Sequence, residues 1–74
     1  MKRSEFQRAV DEQFGSAYGN SLLADLTLAE LDGKTAVAAL DSGVAARDVW
    51  VALCRETGVP PTRWYGAGRS DPPR

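Results

Sequence analysis

Gly33, Lys34 and Thr35, in the stretch LDGKTAV, spell the last three letters of a phosphate-binding loop. Such a loop needs Gly, four residues and then Gly-Lys-Ser/Thr, because an arc of backbone amides must wrap the phosphates before a helix begins. Leu28 stands where the first Gly is required, and the motif follows a helical pattern instead of a buried strand. Gly33 is therefore expected to end one helix, Lys34 to be solvated and Thr35 to cap the next. ATP binding is rejected.

The other reactive side chains are few. The chain has no His and a single Cys, so His-based triads are excluded and scattered carboxylates beside Cys54 make no zinc site. Cys54 sits in the apolar run VWVALC, which predicts a buried, inert thiol. Asp11 and Glu12 are adjacent and point to different parts of a helix surface, so with Asp25 they read as solvated carboxylates rather than an acid/base pair. No catalytic residue, cofactor-binding residue or metal ligand is expected, and the chain reads as a non-enzyme.

One spacing carries more. Counting from Thr35, small Ala39 is fifth, Gly43 ninth, Val44 tenth and Val49 fifteenth. This is helix-turn-helix spacing: a small residue lets two helices approach, Gly permits the turn and branched apolar residues pack the pair. The same spacing suits any tight helix pair. The second helix would offer DNA Arg47 and Arg55, but Asp48 and Glu56 oppose them, which is weak equipment for phosphates. Val51, between the core-type pairs Val49 with Leu53 and Trp50 with Cys54, makes VWVALC apolar around much of the helix. Such a helix is either nearly enclosed by its neighbours or shows one apolar patch to a protein partner. Arg47, Val51 and Arg55 are the expected contact residues, with DNA as the alternative ligand.

The elements that position these residues read as helices. Phe6, Val10 and Phe14, with Ala9 beside them, draw one stripe over SEFQRAVDEQFG, opened by a Ser4–Gln7 capping box and closed by Gly15. Ser16 caps a second helix, in which Tyr18, Leu22, Leu26 and Ala29 form a stripe widened by Leu23 and Leu31. It is expected to run to about Leu31, stopped by Asp32 and Gly33. Thr27 with Glu30 is another capping box, so two shorter helices are the alternative. Thr35 caps a short helix AVAALDS ended by Gly43, and ARDVWVALCRET is a fourth, ended by Gly58, Pro60 and Pro61. The residues WYGAGRSDPPR, rich in Gly, Pro and Arg, are expected to form a loose tail, with Trp64 and Tyr65 folded back on the core as the alternative.

Length and charge agree with a small folded unit. A chain of 74 residues buries only about 60% of its unfolded surface. Apolar residues are 43% and charged residues 26%, near globular averages, so an ordered core is expected. A net charge of −1, with neither sign gathered in a block, advertises neither nucleic acid nor membrane. The basic MKR is followed by SEFQRAVDEQ where a signal peptide needs an apolar stretch, and a lone Cys fits a reducing compartment, so a cytoplasmic location is expected. A dimer would enlarge so small a core, yet nothing in the pattern requires one.

Glu5 with Phe6, Phe14 with Gly15, Tyr18, Gly33 and Thr35, Ala39 with Leu40, Gly43, Val49 with Trp50, Cys54, and Val59 with Pro60 stand in this order and spacing along the chain. On them the chain, from about Met1 to Trp64, resembles a family of short actinobacterial proteins known only as a domain of unknown function. Members are often encoded beside the genes for the DNA-repair recombinase and its small regulator, so the resemblance implies a link to DNA recombination or repair through a protein partner. The chain departs from the pattern twice. Ala45 and Ala46 replace an acidic residue and Pro before the last helix, which removes a cap, and Val51 replaces a basic residue. The expected architecture is an all-α, compact bundle of four short helices around Phe6, Val10, Phe14, Tyr18, Leu22, Leu40, Val49, Trp50 and Leu53. Residues 1–64 form the domain, the helix-turn-helix-like pair lies at 35–57, and a flexible tail covers 65–74.

Overall fold

The structure, a computed structural model, describes residues 1–64. The expected tail over 65–74, Tyr65 included, lies outside the described residues. Four helices, α1 (Arg3–Phe14), α2 (Ser16–Asp25), α3 (Ala36–Asp41) and α4 (Ala46–Thr57), form the all-α body. Two short strands, β1 (Thr27–Leu28) and β2 (Lys34–Thr35), and 3-10 turns at Ala29–Leu31 and Pro61–Arg63 complete it.

α1 begins two residues earlier than the Ser4–Gln7 box implies. Lys2 is its N-cap, and the Glu5 carboxylate accepts the Lys2 backbone N–H at 2.7 Å. Phe6, Ala9 and Val10 face the core, as their spacing predicts. One residue, Gly15, links α1 to α2. Its φ of 84° and ψ of 150° lie in a region essentially restricted to Gly, which lets the chain reverse without a loop.

Gly15, not Ser16, is the N-cap of α2, and no side chain caps that end. The buried line along α2 runs through Gly19 and Leu23. A Cβ on Gly19 would lie 2.6 Å from Cγ1 of Val10, so the missing side chain lets α2 lie directly on α1. That contact sets the rotation of the helix. Tyr18, expected in the core, is consequently 61% exposed, and Leu22 is half-buried.

α2 stops at Asp25 instead of continuing to Leu31. Leu26 is extended at φ −79° and ψ 123°, and Thr27 pairs antiparallel with Thr35 and Leu28 with Lys34. The Thr27–Glu30 capping box is therefore absent, because Thr27 is in a strand. Two effects favour the hairpin over helix. Leu28 becomes wholly buried, and Asp32 (φ 59°) with Gly33 (φ 78°) reverses the chain, while the Gly33 N–H donates to the Leu28 carbonyl at 3.0 Å. β-Branched Thr27 and Thr35 suit the pleated pairing.

Thr35 leaves β2 as the N-cap of α3, its Oγ1 accepting the Ala38 N–H at 3.2 Å. Gly33, Lys34 and Thr35 thus serve a hairpin and a cap, which accounts for the residues that imitate a phosphate loop. Ser42, Gly43, Val44 and Ala45 connect α3 to α4, and the Val44 N–H donates back to the Ala39 carbonyl at 3.0 Å. Ala39 and Val49 are wholly buried and Val44 half-buried, so the residues at helix-turn-helix spacing pack the pair.

The core is centred on Trp50, with Phe6 at 6.2 Å and Phe14 at 6.5 Å between ring centroids, both edge-on. Val10, Val49, Leu53 and Cys54 close round it, joined by Leu28 and Ala36 from the hairpin and α3. α4 occupies residues 46–57 as expected and ends on Gly58 in the left-handed region. Its N-cap, Ala45, is extended and gives no side-chain hydrogen bond. Ala45→Asp is expected to raise stability by about 1 kcal/mol by accepting a first-turn amide. Thermal unfolding checks this: an unchanged or lower midpoint contradicts the uncapped end.

Candidate functional site

Along α4, Arg47, Val51 and Arg55 stand at i, i+4 and i+8, one above another on the face opposite the buried residues. Val49, Trp50, Ala52, Leu53 and Cys54 are buried, Val51 is half-buried, and Arg47 and Arg55 are exposed. The structure brings all three expected contact residues into one open hollow of about 500 Å³. Its other walls are Glu30 and Leu31 from the 3-10 turn, Val44 from the α3–α4 connection, Asp48 and Trp64.

Both cations sit among acidic groups. Arg55 Nη1 donates to Glu30 Oε1 at 3.1 Å, and the Arg55 guanidinium lies 5.7 Å from the centroid of the Trp64 ring. An exposed ion pair of this kind contributes at most about 1 kcal/mol. Its consequence is geometric: it holds Arg55 upright as a wall. Asp48 accompanies Arg47 in the first turn, where a carboxylate is favoured by the helix dipole. Trp64 docks on the domain. Its indole N–H donates to the Val59 carbonyl at 2.9 Å, and its own carbonyl accepts the indole N–H of Trp50.

The sequence places Arg47, Val51 and Arg55 on one face of α4 and is silent on the wall that faces them. Glu30 meets Arg55 across 25 positions, and no helical periodicity encodes a contact that depends on the chain reversing at Asp32 and Gly33.

The residues that line the hollow include no Ser, Thr, Cys, His or Lys. Cys54 is on the opposite side of α4, wholly buried, and burial pushes its thiol from 9.0 up to about 12. Among the described residues, no three His, Cys, Asp or Glu side chains gather into a metal site. The linkage has a definite sign. A thiol held neutral in the folded state contributes full stability below its ordinary value near 9.0, and loses that contribution as pH rises towards 12. Stability is therefore expected to fall above pH 9 and to fall less in Cys54→Ala measured against its own neutral-pH value. Equal alkaline slopes in denaturant titrations of the two proteins would contradict a buried thiol. Among the described residues, no helix is long and apolar enough to cross a membrane.

The remaining family positions are structural. Phe6, Val49, Trp50 and Cys54 build the core, Phe14 and Leu40, both expected in it, are half-buried and pack against it, Gly15, Gly33 and Gly43 have positive φ, and Pro60 precedes the last 3-10 turn. Tyr18 alone projects outward among the aromatics of the set. These features define a small all-α domain with a turn-linked helix pair and an open groove along its last long helix. The family model described as "Protein of unknown function (DUF3046)" matches residues 1–62. The chain belongs to this family. No curated protein and no solved structure matches it.

Proposed function

We propose that this chain is a non-enzymatic cytoplasmic interaction module whose α4 groove takes a segment of a protein partner. An apolar side chain of the partner rests on Val51, and polar groups at either end meet Arg47 and Arg55. The observation that carries this reading is the convergence of Arg47, Val51, Arg55 and Trp64 on one hollow. Tryptophan and arginine are enriched among the few residues that carry most of the binding energy at protein interfaces. The family resemblance nominates the DNA-repair recombinase and its small regulator as the first partners to test.

A second reading, a DNA-binding helix-turn-helix, is favoured by the packing of Ala39, Val44 and Val49 between α3 and α4. Against it stand Glu30 paired with Arg55 and Asp48 beside Arg47, because phosphate contacts demand unopposed cations. An amide-resolved NMR titration separates the two. Recombinase or regulator is expected to shift Arg47 to Arg55 and Glu30, and Val51→Asp to weaken that binding at least tenfold with the helical spectrum unchanged. If Val51→Asp keeps the fold and loses no affinity, the surface is wrong. Salt-sensitive shifts of α4 with a DNA duplex instead would replace the protein reading by the nucleic-acid one.

A further inference from the structure

We propose that α2 carries a self-complementary face through which two copies of the chain pair antiparallel. The starting observation is what the Gly19–Val10 contact leaves outside: Tyr18, Ser21, Leu22 and Asp25 share one face of the helix at i, i+3, i+4 and i+7. Ser21, Leu22, Asp25 and Leu26 line a shallow hollow of about 290 Å³. Tyr18, 61% exposed, projects one turn before it, steadied edge-on by Phe14 at 6.3 Å between centroids. The helix therefore presents a knob and a hole on the same face.

A two-fold axis at the midpoint between Ser21 and Leu22 places residue 18 of one helix opposite residue 25 of the other. Seven residues are about 10 Å, close to two full turns, so both ends of the face meet in register. Each Tyr18 ring then enters the hollow of the other copy, and its hydroxyl donates to that copy's Asp25 carboxylate. An isologous contact needs this arrangement, in which one patch contains both halves of the complementarity.

Charge supports a second copy as the occupant. Asp25 is the only charged residue in α2, whereas 26% of the chain is charged, and depletion of charge marks the centre of an interface. Asp25 lies at the negative end of its own helix dipole, and no basic residue occupies that last turn. The N-terminus of α2 has no side-chain cap. Antiparallel pairing resolves both: each Asp25 sits at the uncapped, positive end of the other helix. A helix of ten residues covers about 15 Å, so the contact is small and the dimer weak and concentration-dependent.

Sedimentation equilibrium of the full chain, from about 10 μM to about 1 mM to span weak affinities, tests the pairing. The expected result is a reversible monomer–dimer equilibrium that Tyr18→Ala and Asp25→Lys each weaken at least tenfold, while Val51→Asp leaves it unchanged. Asp25→Lys is expected at the same time to raise the thermal midpoint of the dilute monomer, since Lys suits the end of its own helix. A general loss of folding would lower both quantities. A wild-type chain that stays monomeric throughout the range, or a dimer indifferent to both α2 substitutions, overturns the proposal.

Discussion

Trp50→Ala is expected to leave the domain without a cooperative fold at room temperature. Trp50 is wholly buried, both Phe6 and Phe14 set their edges against its ring, and its indole N–H is used by the Trp64 carbonyl. Truncating a buried aromatic to Ala costs about 3–5 kcal/mol. At 74 residues, total stability is about 4–11 kcal/mol. The loss is thus comparable with the whole margin. Trp50→Phe keeps the aromatic contacts and gives up the hydrogen bond and part of the ring, so it is expected to fold at a lower denaturant midpoint. Circular dichroism with urea distinguishes the cases. A Trp50→Ala protein within about 1 kcal/mol of the wild type would be incompatible with a core built on this ring.

The second large effect is at the crossing of α1 and α2. Gly19 is helical with ordinary backbone angles, and replacing Gly by Ala in a helix normally gains about 1 kcal/mol. Here the added methyl meets Val10 Cγ1 at 2.6 Å, so the wholly buried Val10 side chain must shift to admit it. Overpacking costs about 1–3 kcal/mol. Gly19→Ala is therefore expected to destabilise despite the propensity gain. Val10→Ala removes the obstructing Cγ1, so in the double variant the added methyl is expected to cost much less than it does alone. A double-mutant cycle measures that coupling. If the two losses simply add, the close approach is not what requires Gly19.

The same contact explains why α2 was read out of phase. Tyr18, Leu22 and Leu26 repeat every four residues and look like a core stripe, but the helix turns the neighbouring line, Gly19 and Leu23, inward. A missing side chain contributes nothing to a hydrophobic pattern, so the residue that fixes the rotation is silent in it. The segment Leu26 to Leu31 misled for another reason. Its leucines fit a helical repeat, while Leu26-Thr27-Leu28 also fits the two-residue repeat of a strand, and only the pairing with Lys34 and Thr35 decides.

α4 was legible to the residue because its signals are local: a continuous apolar run, then Gly58 and two prolines. Thr35 as a cap was legible for the same reason. Half of the candidate site follows from that helix, since Arg47, Val51 and Arg55 lie on one of its faces. The other half belongs to Glu30, Leu31 and Trp64, which reach it only through the hairpin and the final turn.

The two tryptophans divide the molecule optically. Trp50 is sealed from water and emits to the blue, whereas Trp64 is half-buried, beside a guanidinium, on the wall of the groove, with its carbonyl on the Trp50 indole N–H. With no third indole in the chain, a red or blue displacement of the emission at constant fold reports the surroundings of Trp64 and, through their shared hydrogen bond, of Trp50. The protein carries, without a label, a gauge of groove occupancy wired by one hydrogen bond to the centre of its core.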